Sequence, residues 1–140
     1  MRYMLIMQVS PAGAAAMQDF DMAEAVATMG HYNEELQAAG VFLSAEGLRD
    51  ADEGFRVDFE STPPVVTDGP YAEAVEIFTG YWLLEVASRE EAERWALKCP
   101  LGPGTALEVR RVQDFSDFAQ LIGEDNEWVR KEQEWRAAHE

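Results

Sequence analysis

The 140 residues of this chain carry 11 Lys and Arg against 27 Asp and Glu, which gives a formal net charge of −16. Such an acid surplus argues against binding to nucleic acid or to anionic membranes, because both are held largely by basic contacts to phosphate. The length suits one folded domain, and the single Cys, with neither a signal-peptide pattern nor a membrane-spanning stretch, favours a cytoplasmic protein.

The first half of the chain predicts a strand, a helix and a second strand. Residues 3–9 are almost wholly apolar, which favours a strand covered on both faces. A helix is predicted over residues 22–39, where Asp21 and Glu24 form a start resembling a capping box. The residues at helical spacing along it are Met22, Val26, Met29, Asn33 and Leu36. A second strand is predicted over residues 41–48.

The second half predicts a hairpin, a strand, a helix and a last strand. Alternating residues 55–60 and the return at 65–67 indicate two hairpin strands around a Pro-containing turn. Residues 79–87 form a longer strand, Ser88 caps the next helix, and residues 106–112 form the last strand. Both helices would cover one face of the resulting sheet. The other face would be too apolar for water, so we expect a second copy of the chain to cover it.

A sharp corner is predicted at the Asp-Gly-Pro sequence of residues 68–70. Pro lacks a backbone N–H, and Gly accepts backbone angles that other residues avoid. The corner leads into Tyr71, Glu73 and Glu76, whose carboxylates share a face if the segment is helical. With Asp68 they form an acidic cluster beside an aromatic side chain.

This run resembles the DGPF signature of the YCII-related family, with Tyr71 where the signature has Phe. The resemblance covers nearly the whole chain and includes residues 3–7, 32–41, 46–48, 80–83, 91–100 and 108–110. It implies an α+β, ferredoxin-like protein of the order β-α-β-(hairpin)-β-α-β that pairs into a dimeric α/β barrel. The biochemical function of such proteins is mostly unestablished, so the resemblance implies a fold more than an activity.

The pattern changes after residue 113, which makes residues 1–113 the predicted domain and residues 114–140 a C-terminal helical arm. Two helices are predicted there, over 116–122 and 126–138. Trp128 and Trp135 lie one heptad apart on the second helix and require a partner surface. That surface belongs either to the domain or its dimer mate, or to a third protein.

Asp68 and His31 are the candidates for acid/base chemistry. Asp68 is a candidate general base, and its alternative role is to close the turn by accepting backbone hydrogen bonds. His31 falls opposite the apolar stripe of its helix, so its alternative is a solvated surface side chain. Smaller YCII relatives carry a proposed His–Asp pair, but here Cys99 stands directly before Pro100, where that Asp would be. Cys99 itself is predicted to be structural.

The predicted ligand pocket lies between the sheet and the helices, near the Asp68-Gly69-Pro70 loop. Its predicted lining is Tyr3, Asn33, Tyr71, Glu73, Tyr81 and Trp82. No metal site or cofactor is expected, because the sequence holds no zinc spacing, phosphate loop or dinucleotide fingerprint. The chain is therefore predicted to be a small-molecule binder or a cofactor-independent acid/base enzyme. The alternative is a non-catalytic interaction or regulatory module, which the resemblance links to sigma-factor regulation.

Overall fold

The structure is a computed structural model that describes residues 1–16, 21–70 and 77–139. The strands of these residues are β1 (Arg2–Val9), β2 (Phe42–Gly47), β3 (Phe55–Asp58), β4 (Val65–Asp68), β5 (Ile77–Glu85) and β6 (Thr105–Arg111). The helices are α1 (Pro11–Ala16), α2 (Met22–Ala38), α3 (Arg89–Leu97), α4 (Phe115–Ile122) and α5 (Glu127–His139). The predicted α+β class is confirmed. The short helix α1 was not predicted, because Pro11 was interpreted as a break, whereas proline is well suited to the first position of a helix.

Four strands form one sheet in the order β2-β5-β1-β6, while β3 and β4 pair with each other as a separate hairpin. Strand β5 runs antiparallel to both β1 and β2. Leu5 lies opposite Trp82, and Tyr3 lies opposite Leu84. Because side chains alternate along a strand, these four residues share one face of the sheet.

The chain forms two compact units, and the first, Met1–Arg110, holds the main core. Its core cluster consists of Tyr3, Leu5, Tyr32, Leu36, Val41, Trp82, Leu84, Val86 and Ala92. Strands β1 and β5, helix α2 and helix α3 all contribute to this cluster. Both helices therefore cover the same face of the sheet.

The opposite face of the sheet carries the alternate residues of the central strands. Met4 lies opposite Leu83, and Ile6 lies opposite Tyr81. All four side chains are only half-buried in the single chain. This face is therefore apolar at its centre, and α2 and α3 lie on the other face of the sheet.

The apolar stripe predicted on α2 is only partly buried. Leu36 is fully buried, but Met22 and Val26 are 70% and 64% exposed. Tyr32, which lies outside the predicted stripe, is 4% exposed and belongs to the core cluster. Helical spacing identifies residues that share a face, but it does not say how much of that face is covered.

The hairpin of β3 and β4 places its apolar residues on an exposed surface. Val57 lies opposite Val66, and Phe55 lies opposite Asp68. Phe55 and Val66 are 65% and 63% exposed. The predicted alternation is present, but the apolar face of the hairpin is not covered in the single chain.

The second unit, Arg111–Glu140, contains α4 and α5. Gly123 ends α4 with a φ of +92°, a conformation that favours glycine. Trp128 and Trp135 are 72% and 59% exposed. None of the helices in the described ranges is long and apolar enough to cross a membrane.

Candidate functional site

A cavity of about 210 Å³ lies between the sheet and α2 in the first unit. Its lining includes Met7 of β1, Met29 and Asn33 of α2, residues 45–47 of β2 and residues 80–82 of β5. A concavity thus lies between the sheet and a helix, but residues 68–70, near which the pocket was predicted, are not among its lining residues. Its walls are mainly apolar.

The wall formed by β2 and β5 depends on a close approach of the two backbones. Gly80 lies opposite Gly47 in the antiparallel ladder. A Cβ atom on Gly80 would lie 2.8 Å from the carbonyl oxygen of Glu46 and 3.3 Å from the Cα of Gly47. Both distances are shorter than ordinary van der Waals contact, so this spacing of the strands requires glycine at position 80.

Asn33 and Trp82 form a fixed polar pair at the cavity. The indole Nε1–H of Trp82 donates a hydrogen bond of 2.8 Å to Asn33 Oδ1. Because an indole nitrogen can only donate, the amide of Asn33 must direct its oxygen towards Trp82 and its NH2 group away from it. This NH2 group makes no hydrogen bond to another residue that the structure describes. It is also not buried, since the described side chains contain no buried polar atom without a partner.

Tyr32 holds the Trp82 ring from the core side. The two rings meet edge to face, with centroids 5.6 Å apart and an interplanar angle of 86°. The Tyr32 hydroxyl donates a hydrogen bond of 2.7 Å to the Trp95 carbonyl oxygen. Burial raises the pKa of Tyr32, and the nearby Cys99 and Glu35 raise it further, so the phenol stays protonated and keeps this donor. The indole therefore has its position fixed from two sides.

Several residues of the predicted pocket border the cavity. Asn33, Tyr81 and Trp82 are among its lining residues. By strand alternation, however, the Tyr81 side chain lies on the opposite face of the sheet from Trp82. Tyr3 is 8% exposed within the core cluster and does not border the cavity. The predicted ligand residues Tyr71 and Glu73 lie outside the described residues.

Sequence reasoning missed the contributions of Met7, Met29 and the two facing glycines. The methionines have no sequence signal that separates a cavity wall from a packed core. The glycines could have been noticed, because a glycine inside a strand often marks a close backbone approach.

The two predicted acid/base residues do not border the cavity. Asp68 is exposed on β4, opposite Phe55 in the hairpin, and its role as a general base stays a prediction. His31 has a side chain that is 81% exposed, with Nδ1 3.7 Å from Glu34 Oε2. This placement agrees with the solvated surface alternative for His31.

Cys99 lies two residues beyond the end of α3, where its backbone N–H donates to the Ala96 carbonyl. It packs against the core cluster. Burial raises the pKa of its thiol to about 12, so the nucleophilic thiolate is scarce at neutral pH.

We expect native Cys99 to react slowly with iodoacetamide at neutral pH. Its rate should still rise about tenfold per pH unit above pH 9, because the fraction of thiolate rises tenfold per pH unit at any pH below the pKa. Measured alkylation rates between pH 7 and 11 check this. The guanidinium-unfolded chain is the control, and its rate should level off near the ordinary thiol pKa. A native rate that levels off below pH 8.5 would show an activated cysteine.

The described side chains that face the cavity contain no titratable group, because the Glu46 side chain, like that of Tyr81, lies on the opposite face. The described residues also contain no group of three or more His, Cys, Asp and Glu side chains placed to hold a metal ion. The part of the cavity that the described residues form can therefore hold an apolar group and donate hydrogen bonds from Asn33.

Comparison with known proteins gives a family match that spans most of the chain. The model of the YCII-related domain matches residues 1–116. No curated protein matches the chain. The matched segment contains the entire first unit, including the sheet, α2 and the cavity between them. The predicted resemblance is confirmed, and the chain belongs to the YCII-related family.

Proposed function

We propose that this protein binds a small molecule in the cavity between the sheet and α2. The observation that carries the proposal is the Trp82–Asn33 hydrogen bond, which fixes an amide donor beside apolar walls. Small-molecule sites are commonly concave and mainly apolar, with a few polar groups that orient the ligand. This cavity has that composition.

A cofactor-independent acid/base enzyme is the more demanding version of this proposal. It requires a base within hydrogen-bond reach of the ligand, directly or through one water. Asp68 is the candidate, but it is exposed on the hairpin and does not border the cavity. Binding needs only residues that already border the cavity, so binding has the stronger support.

The test is a fragment screen by ¹H–¹⁵N NMR on the labelled protein, in which the indole resonance of Trp82 reports on the cavity. The Trp82→Phe variant identifies that resonance among those of the tryptophans. Ligands of the cavity should shift it while leaving the exposed Trp135 resonance unchanged. A screen whose hits all leave the Trp82 resonance in place would contradict the proposal.

We also propose that the chain is a homodimer, paired through the open sheet face into a dimeric α/β barrel of ferredoxin-like units. The half-buried Met4, Ile6, Tyr81 and Leu83 support this pairing, because a second copy would remove their apolar surface from water.

Sedimentation at micromolar concentration should give about twice the chain mass, and Ile6→Glu should shift the protein towards the monomer. Glu108→Gln on the neighbouring strand β6 is the control. It adds no charge at the centre of this face, so it should leave the dimer in place. A wild-type monomer at these concentrations would remove the barrel assignment.

The second candidate is an interaction or regulatory module, including one that acts on a sigma factor. The exposed Trp128 and Trp135 favour it, because large exposed aromatic side chains are enriched where proteins bind partners. A metabolite panel that raises the thermal midpoint would support the binder. An inactive panel, together with a change in Trp128 and Trp135 fluorescence on adding a sigma-factor domain, would support the module.

A further inference from the structure

We infer that the ligand of this cavity is an uncharged molecule of about one substituted ring, bearing a carbonyl or similar acceptor for the Asn33 NH2 group. This inference rests on the proposed binding function and specifies its ligand class. Size, charge and hydrogen bonding each limit that class independently.

The size limit follows from the volume of about 210 Å³. An engineered protein cavity of about 150 Å³ holds a benzene molecule. Sites for drug-sized ligands span about 300 to 1,000 Å³. The walls of the present cavity therefore have room for one ring and a small substituent, and a nucleotide or a fused polycyclic compound would extend out of it.

The charge limit follows from the side chains on the cavity face. Met7, Met29, Ala45 and Trp82 are uncharged, and the described lining contains no Lys or Arg. An anion would lose its hydration there without gaining a positive partner. The net charge of −16 adds a further repulsion. Among the described residues a cation has no partner on this face either, because the Glu46 side chain lies on the other face of β2.

The hydrogen-bond limit follows from the fixed orientation of Asn33. Its oxygen already accepts the Trp82 indole N–H and keeps one further lone pair, whereas both donors of its NH2 group are unused among the described residues, so the amide offers the ligand chiefly N–H donors. Trp82 has no second donor, since its single N–H is already used. A ligand that brings an acceptor would pair this NH2 group, whereas a compound with donors alone would leave it unpaired.

The walls favour an aromatic or otherwise flat ring. Methionine side chains adapt to irregular shapes and make favourable contacts between sulfur and aromatic rings. Met7 and Met29 come from β1 and α2, on different sides of the cavity. Aryl amides, lactams and aryl ketones combine such a ring with the required acceptor.

Three probes of similar shape test the inference: benzamide, which is neutral with a carbonyl; benzoate, its anionic counterpart; and toluene, which has no acceptor. Dissociation constants come from NMR titration of the Trp82 indole resonance. Benzamide should bind at least about tenfold more tightly than benzoate, because only benzoate carries a charge into the apolar site. Toluene should bind more weakly than benzamide by about two- to tenfold, the range expected for one hydrogen bond.

Asn33→Asp is the matched variant. In its ionised form the carboxylate can still accept the hydrogen bond from Trp82, but it has no donor to offer. Benzamide should lose about fivefold or more in affinity, whereas toluene should be nearly unaffected. The thermal midpoint and the Trp82 indole shift of the ligand-free variant check that the site is intact. If the variant does not fold, the comparison of the three probes on the wild-type protein still tests the inference.

The outcomes separate the inference from the function on which it rests. Benzoate binding as tightly as benzamide would overturn the charge limit, and unchanged benzamide affinity in a folded Asn33→Asp protein would overturn the role of the amide. If other fragments shift Trp82 but none of the three probes does, the ligand class is wrong and the binding site stands. If nothing in the screen shifts Trp82, the binding function itself fails.

Discussion

Trp82→Ala should lower the free energy of unfolding by about 3–5 kcal/mol, the usual cost of removing a large buried aromatic side chain. Trp82 is 5% exposed and lies in the core cluster between Tyr32 and Asn33. The substitution removes its packing, leaves a void and deprives Asn33 of its donor. Urea denaturation followed by circular dichroism measures the change.

Trp135→Ala is the matched control, since it removes the same side chain from a position that is 59% exposed. Among the described residues, its only aromatic contact is the stacked ring of His139, with the two ring centroids 4.3 Å apart. We expect a change within about 1 kcal/mol, because surface substitutions usually have small effects. Equal losses for the two variants would mean that the Trp82–Tyr32 arrangement does not anchor the core.

Gly80→Ala should destabilise the protein by about 1–3 kcal/mol, the usual cost of adding a carbon atom to a site that has no room for it. The added methyl group would meet the backbone of Glu46 and Gly47, and it would lie 3.4 Å from Met7 Cε. The methionine can move, but the backbone of β2 can yield only by shifting away from β5. We expect weaker ligand binding as well, because that shift deforms the cavity wall.

Gly30→Ala is the control for Gly80→Ala. Gly30 lies within α2, and a Cβ atom there would have no atom within 4 Å outside the helix's own nearby backbone. Alanine should stabilise the helix by about 0.5–1 kcal/mol relative to glycine. The two substitutions should therefore shift the denaturation midpoint in opposite directions. A stabilising effect of Gly80→Ala would show that the two strands can separate without cost.

The sequence by itself determined the order of most elements and several of their ends, because these depend on neighbours in the chain. Asp21 was predicted to begin the first long helix, and its carboxylate accepts the Glu24 N–H. Ser88 was predicted to begin the next, and its hydroxyl accepts the Glu91 N–H. Such caps join groups three residues apart, so the local pattern specifies them.

The sequence also singled out Asn33 as a polar residue in an apolar stripe, but not what it binds. Its partner Trp82 is 49 residues away. The two meet because the register of β5 directs the indole towards the helix-covered face, next to Ala45 of β2. A one-residue change of register would direct it to the other face.

Only the tertiary structure decided which apolar residues became core and which became a cavity wall. Leu36 and Val26 belong to the same predicted apolar stripe of α2, yet Leu36 is fully buried and Val26 is 64% exposed. Gly80 likewise has its role only because the Glu46 carbonyl lies beside it. Periodicity fixes the direction of a side chain within its own element, whereas burial depends on the elements packed against it, which residues distant in the chain supply.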